Sequence, residues 1–149
     1  MKPLLFTKKE LDGLCKKYDI VGHNPNTESN NNHYYYFFIR SQLFKPDGWT
    51  RIFNNGYYNS FIRFVYVGFG RYKFWKISER PDFPDDDGYY QFIPHDTEYK
   101  KFSSKKEIEN WINETCLYVR NELPKIAKRN IVKNKLKEID KDFIWLLNN

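Results

Sequence analysis

The chain has 149 residues, with 25 Lys and Arg against 19 Asp and Glu and a formal charge of +6. Its 12 Tyr, 13 Phe and 4 Trp are far too many rings for a disordered chain, and a chain of this length buries roughly two-thirds of its unfolded surface, enough for one domain spanning 1–149. No run of about 18 apolar residues exists to cross a membrane, and two cysteines do not make a disulfide framework.

Met1-Lys2-Pro3-Leu4-Leu5-Phe6 gives way to charge at Lys8 before the apolar region of a secretory signal could form, so a cytoplasmic protein with reduced thiols is expected, with no membrane partner. Thr7-Lys8-Lys9-Glu10 is a capping box, with Phe6 placed to staple onto Leu11, and it predicts a helix start. Leu11, Leu14, Cys15 and Tyr18 then form one apolar stripe. Gly22 to Asn32 has no periodicity and carries Pro25 and three consecutive Asn, so it reads as a loop.

From His33 the apolar period changes to two, and aromatic and β-branched residues dominate. Strands are expected at Tyr34 to Arg40, Thr50 to Phe53, Phe61 to Val67, Tyr72 to Ser78 and Tyr89 to Ile93. Asn55-Gly56 and Gly68-Phe69-Gly70 supply tight turns that tolerate positive φ, and connections this short permit antiparallel pairing only. The sheet is therefore expected to be an antiparallel meander of four or five strands.

A second capping box, Ser104-Lys105-Lys106-Glu107, opens a helix whose stripe is Ile108, Trp111, Ile112, Val119 and Leu123. Pro124 lacks an N–H and clashes with the preceding turn, so this helix must end or kink near Leu123. Residues 125–149 follow as a basic amphipathic helix, holding 7 basic and 3 acidic groups where 1–124 hold 18 and 16. Val132, Leu136, Ile139, Phe143 and Leu146 make a seam spaced 4, 3, 4, 3 that would pack on the sheet, on the second helix or on another subunit. The expected fold class is thus α+β: one domain with an N-terminal helix, the meander and two C-terminal helices.

Two sets of cations are candidates for partner or nucleic-acid binding. Lys125, Arg129, Lys133, Lys137 and Lys141 recur every four residues and form a ridge, although like charges at i,i+4 repel by a few tenths of a kcal/mol per pair. On the strands, Arg63, Arg71, Lys73, Lys76 and Arg80 interleave with aromatics, and rings beside cations on an open sheet face could stack bases. If Tyr34, Tyr36, Tyr72 and Tyr89 are exposed, a protein partner explains them equally well.

Catalytic readings are thinner. Asp82, Glu98 and Lys100 fit the loose text of a PD-(D/E)xK nuclease, in which carboxylates bind Mg²⁺. Asp82, however, sits in a Pro- and Asp-rich stretch typical of a solvated turn. His23, His33 and His95 lack ligand-like spacing, and a Cys116–His95 nucleophile has no local sequence support. No metal or cofactor is expected. The function expected is non-catalytic docking on a protein or nucleoprotein, in the manner of an inhibitor, immunity or accessory protein of a phage or mobile element. The alternatives are direct nucleic-acid binding and, third, the Mg²⁺-dependent nuclease.

Overall fold

Thr7 starts the first helix through a complete capping box. Its Oγ1 accepts the Glu10 N–H at 3.1 Å, and Glu10 Oε1 accepts the Thr7 N–H at 3.2 Å, so α1 runs Lys8–Tyr18. The computed structural model describes residues 4–23, 34–44, 57–94 and 102–148. The expected Thr50 to Phe53 strand, the Asn55-Gly56 turn and most of the expected loop before His33 lie outside them.

Two short strands flank α1: β1, Leu5–Thr7, and β2, Val21–His23. Neither was anticipated, and β2 takes Gly22 and His23 out of the expected loop. Three-residue strands have no periodicity of their own; an available sheet edge creates them. β2 pairs along β3, Tyr34–Arg40, with Val21 opposite Phe38, while β1 pairs with the start of β5.

The long hairpin joins β4, Tyr58–Gly68, to β5, Arg71–Glu79, through Gly68, Phe69 and Gly70, all at positive φ. The antiparallel order is β1-β5-β4-β3-β2, so β2 to β5 form the meander and β1 adds an outer strand. The expected strand from Tyr89 to Ile93 shrinks to β6, Ile93–Pro94, on the far end of β5. Local side chains and turns claim the backbone upstream: Asp85 Oδ1 accepts the Tyr89 N–H at 2.9 Å and Asn59 Oδ1 accepts the Phe92 N–H at 3.2 Å. Tyr90 makes only an isolated parallel bridge to Phe44.

Two register shifts sort the side chains. Phe37 opposes Ile62 while Phe38 opposes Ser60, so Phe61 is an extra residue and both Phe61 and Ile62 are buried. Arg63 opposes Lys76 while Phe64 opposes Phe74, so Trp75 is extra in β5. One face carries Tyr35, Phe37, Ile39, Phe64 and Tyr72 into the core, which α1 and α2 complete with Leu11, Cys15, Ile108, Trp111, Ile112 and Cys116.

Helix α2, Lys105–Leu117, starts where Ser104 Oγ accepts the Glu107 N–H at 3.2 Å. The expected box is displaced by one residue, because the Glu107 carboxylate accepts the Ser103 N–H at 2.9 Å rather than that of Ser104. The N-terminal part of α2 is cross-linked to both ends of α1: Lys105 reaches Glu10 at 2.7 Å and Lys17 reaches Glu109 at 2.6 Å. Those lysines hold both carboxyls below their ordinary range, as do the Thr7 N–H for Glu10 and the Tyr18 hydroxyl for Glu109. Pro124 does not end the run. A π-helical segment, Tyr118–Glu122, carries it into α3, Leu123–Asn148.

Gly22 lies against the Tyr35 ring so closely that a Cβ there would collide with the hydroxyl and ring carbons. Gly22→Ala is therefore expected to cost about 1–3 kcal/mol in urea unfolding, as overpacking does. An unchanged midpoint would show that this contact does not hold β2 to the sheet. Depressed carboxyl values favour the folded state above the unfolded pKa and lose that advantage as pH falls through the folded value. Glu10→Gln with Glu109→Gln should accordingly flatten the acid limb of stability as pH falls through and below the ordinary carboxyl range, an effect kept small by solvent screening of these exposed pairs and read by urea unfolding as a function of pH.

Candidate interaction surfaces

The sheet face turned away from α1 and α2 gathers much of the aromatic and cationic material singled out in the strands. Tyr34 on β3 stacks on Trp75 of β5, with centroids 4.9 Å apart and planes 20° apart. Lys76 lies 4.4 Å from the Trp75 centroid and Arg63 lies 5.2 Å from that of Tyr36. The Lys76 contact depends on the extra residue in β5, since a bulge puts Trp75 and Lys76 on the same side of the strand, whereas Arg63 lies directly opposite Tyr36 across β3 and β4. Exposed Lys73 and half-buried Val65 extend this face, and Phe38 seals its far end. Burial raises the Tyr36 hydroxyl pKa against the opposing pull of Arg63, so Tyr36 is a neutral donor at physiological pH. Among the described residues, no helix covers this face.

Not every strand cation joins it. Arg80 points to the helical side, 5.5 Å from the Tyr118 ring and 3.5 Å from Glu114. Arg71 is exposed at the hairpin mouth opposite Thr7. Among the tyrosines, Tyr34 and Tyr36 belong to the open face, Tyr72 is core at 7% exposure, and Tyr89 is half-buried beside the Asp85 turn. Trp75 was not singled out from the sequence, although it shares strand parity with Lys73.

The second surface is α3. Leu123 and Ala127 are buried, and Asn130 donates to the Tyr90 hydroxyl at 2.8 Å, which anchors the root of the helix. From Ile131 to Asn148 every residue is exposed. The seam packs on neither the sheet nor α2: Val132 is 55% exposed, Leu136 56%, Ile139 61%, Phe143 61% and Leu146 66%. At about 100° per residue, Val132 sits roughly 140–180° around the helix from Ala127 and Leu123, so the seam faces away from the body. The ridge residues Lys125, Arg129, Lys133, Lys137 and Lys141 are all exposed, and Lys125 lies 3.6 Å from Glu122. A groove of about 750 Å³ beside the root is lined by Asp19, Arg40, Arg120 and Lys128 among others. Arg120 is committed there, donating to the Tyr18 and Asp19 carbonyls at 2.9 and 2.8 Å.

The remaining candidates do not converge. Asp82 is exposed beside the Asp85 turn, and Glu98 and Lys100 lie outside the described residues. Burial pushes the Cys15 thiol up to about 12 and the Cys116 thiol up to about 11, away from thiolate character at neutral pH. Among the described residues, no three His, Cys, Asp or Glu side chains gather into a metal-binding group, and no helix is long and apolar enough to cross a membrane. No protein-family model, curated protein or solved structure matches this chain.

Because the ridge is solvated, replacing Lys125, Arg129, Lys133 and Lys137 with Glu is expected to shift stability by less than about 0.5 kcal/mol each. Circular dichroism with urea unfolding measures this. A collapsed midpoint would place the ridge against the body instead.

Proposed function

We propose that the chain is a non-catalytic binding protein that docks on a larger protein or nucleoprotein in the cytoplasm, as an inhibitor, immunity or accessory protein of a phage or other mobile element. The observation that carries this reading is the outboard half of α3. Helical stability in proteins comes mainly from packing an apolar face, and a solvated helix lacks that support. Here that face is presented outward, with Phe143, Ile144, Trp145, Leu146 and Leu147 exposed in succession near its end. Exposed apolar surface rimmed by charge marks a contact with another macromolecule. The affiliation with a mobile element rests on small size and type alone.

A second reading, direct binding of single-stranded nucleic acid, draws on the open sheet face. Stacked Tyr34 and Trp75 flanked by Arg63, Lys73 and Lys76 combine rings for bases with cations for phosphates. Capture from the native host, with and without nuclease treatment, separates the two readings. Docking on protein is expected to survive nuclease and to weaken gently with salt, while phosphate neutralisation gives a steep negative slope. The quadruple Glu variant of the ridge should bind the captured partner about tenfold or more weakly, a change of about 1.4 kcal/mol. Mg²⁺- or Mn²⁺-dependent cleavage of DNA or RNA that disappears in Asp82→Ala would overturn the non-catalytic reading.

A further inference from the structure

We infer that the exposed seam of α3 is occupied by a second copy of this chain, packed antiparallel, so that the binding unit is a dimer with its two bodies at opposite ends of a helix pair. The inference starts from the same exposed face as the docking reading and names what covers it, which leaves the open sheet faces and the rest of the basic ridge for a docking partner.

The spacing assigns heptad positions. Arg129, Leu136 and Phe143 take position a, and Val132, Ile139 and Leu146 take position d. In an antiparallel pair each a residue meets a d residue. One register puts Leu136 against the partner's Ile139, Val132 against the partner's Phe143, and Arg129 at the rim against the partner's Leu146, and the remaining half of every layer follows by symmetry.

Charge selects that register and direction. Antiparallel helices bring e to face e and g to face g. Lys133 and Asp140 are the e pair, and Lys135 and Asp142 are the g pair, so four opposite-charge contacts flank the core. The next e pair, Ile126 with Leu147, is apolar on both sides. Parallel pairing would instead face Arg129 with its own copy at position a and bring Lys128 against Lys133, which offsets its one opposite-charge pair, Lys135 with Asp140. These charged side chains are exposed, and the seam points away from the body, so neither protomer's sheet stands between the helices.

Length agrees as well. The exposed stretch from Ile131 to Asn148 is about 27 Å long. In this register the end of each helix reaches the partner's Ala127, where that helix enters its own core. Pairing absorbs Arg129 and Lys133 from the basic ridge, while Lys137 and Lys141 stay on the outer surface. The dimer therefore presents two open sheet faces and two short basic patches to the docking partner.

Sedimentation equilibrium of the full chain at tens of micromolar is expected to give twice the monomer mass. Lys133→Glu with Lys135→Glu, and separately Asp140→Lys with Asp142→Lys, should each weaken self-association at least about tenfold, and mixing the two variants should restore a dimer. Leu136→Cys mixed with Ile139→Cys is expected to form an intermolecular disulfide faster than either variant does with itself; the native Cys15 and Cys116 are buried. A wild-type monomer, a dimer indifferent to both charge variants, or preferential self-crosslinking of Leu136→Cys would each overturn the inference. A monomer that still retains its partner from the native host leaves docking standing without self-pairing. A seam dimer that captures nothing from that host leaves the pairing standing and removes the docking reading.

Discussion

The widened turn at Tyr118–Glu122 is the constraint on which the outward face of the molecule depends. Pro124 has no N–H to give to the carbonyl four residues back, and its ring would press on that carbonyl in a regular helix. In the π segment the Leu123 N–H instead reaches the Tyr118 carbonyl, five residues back, so the run accommodates the proline without ending. Helix α2 is fixed upstream by Ile108, Trp111, Ile112 and Cys116 against the sheet, and Val119 and Leu123 keep the joint itself in the core. The direction of α3 is thereby set by packing rather than by a loop. The seam leaves the body because Val119 and Leu123 hold the joint against the core.

A parallel logic applies within the sheet. With so many rings, strict alternation would leave Phe61 on the wrong face and divide Trp75 from Lys76. Each extra residue costs local ladder bonds and places two consecutive side chains on one side. In β4 that deepens the core, as Phe61 joins Phe92 and Trp111 at centroid distances of 5.7 and 5.9 Å. In β5 it builds the cationic–aromatic cluster on the open face. The two devices are the same, and their products are opposite.

Much of this was legible because local signals were strong. The capping box at Thr7, the helix start at Ser104, the glycine turn at Gly68 and Gly70, and the apolar stripe from Ile108 to Leu123 each report a local energetic preference, and each fell where expected. β1, β2 and β6 were hidden because such short strands are induced by a neighbour's edge. The stretch from Tyr89 to Ile93 misled because Asp85 and Asn59 compete for its backbone, a tertiary arrangement no periodicity encodes. The surfaces divide similarly. The seam and the ridge were visible as spacing on one helix, and their exposure was not. Arg80 was grouped with the other strand cations, but it lies beyond the end of β5, where Glu114 and Tyr118 draw it to the helical side.

The π segment also acts as a phase shifter. One residue beyond regular α-helical spacing turns everything that follows by about 100° relative to the stripe that holds α2 to the sheet. Insertion or loss of a single residue between Leu117 and Pro124 would redirect the whole seam without touching any residue in it. The face that α3 offers is thus encoded twice: once in the side chains from Val132 to Leu146, and once in the residue count of a joint some ten positions upstream. Two chains with identical outboard helices but different joints would present different partners to the same sheet.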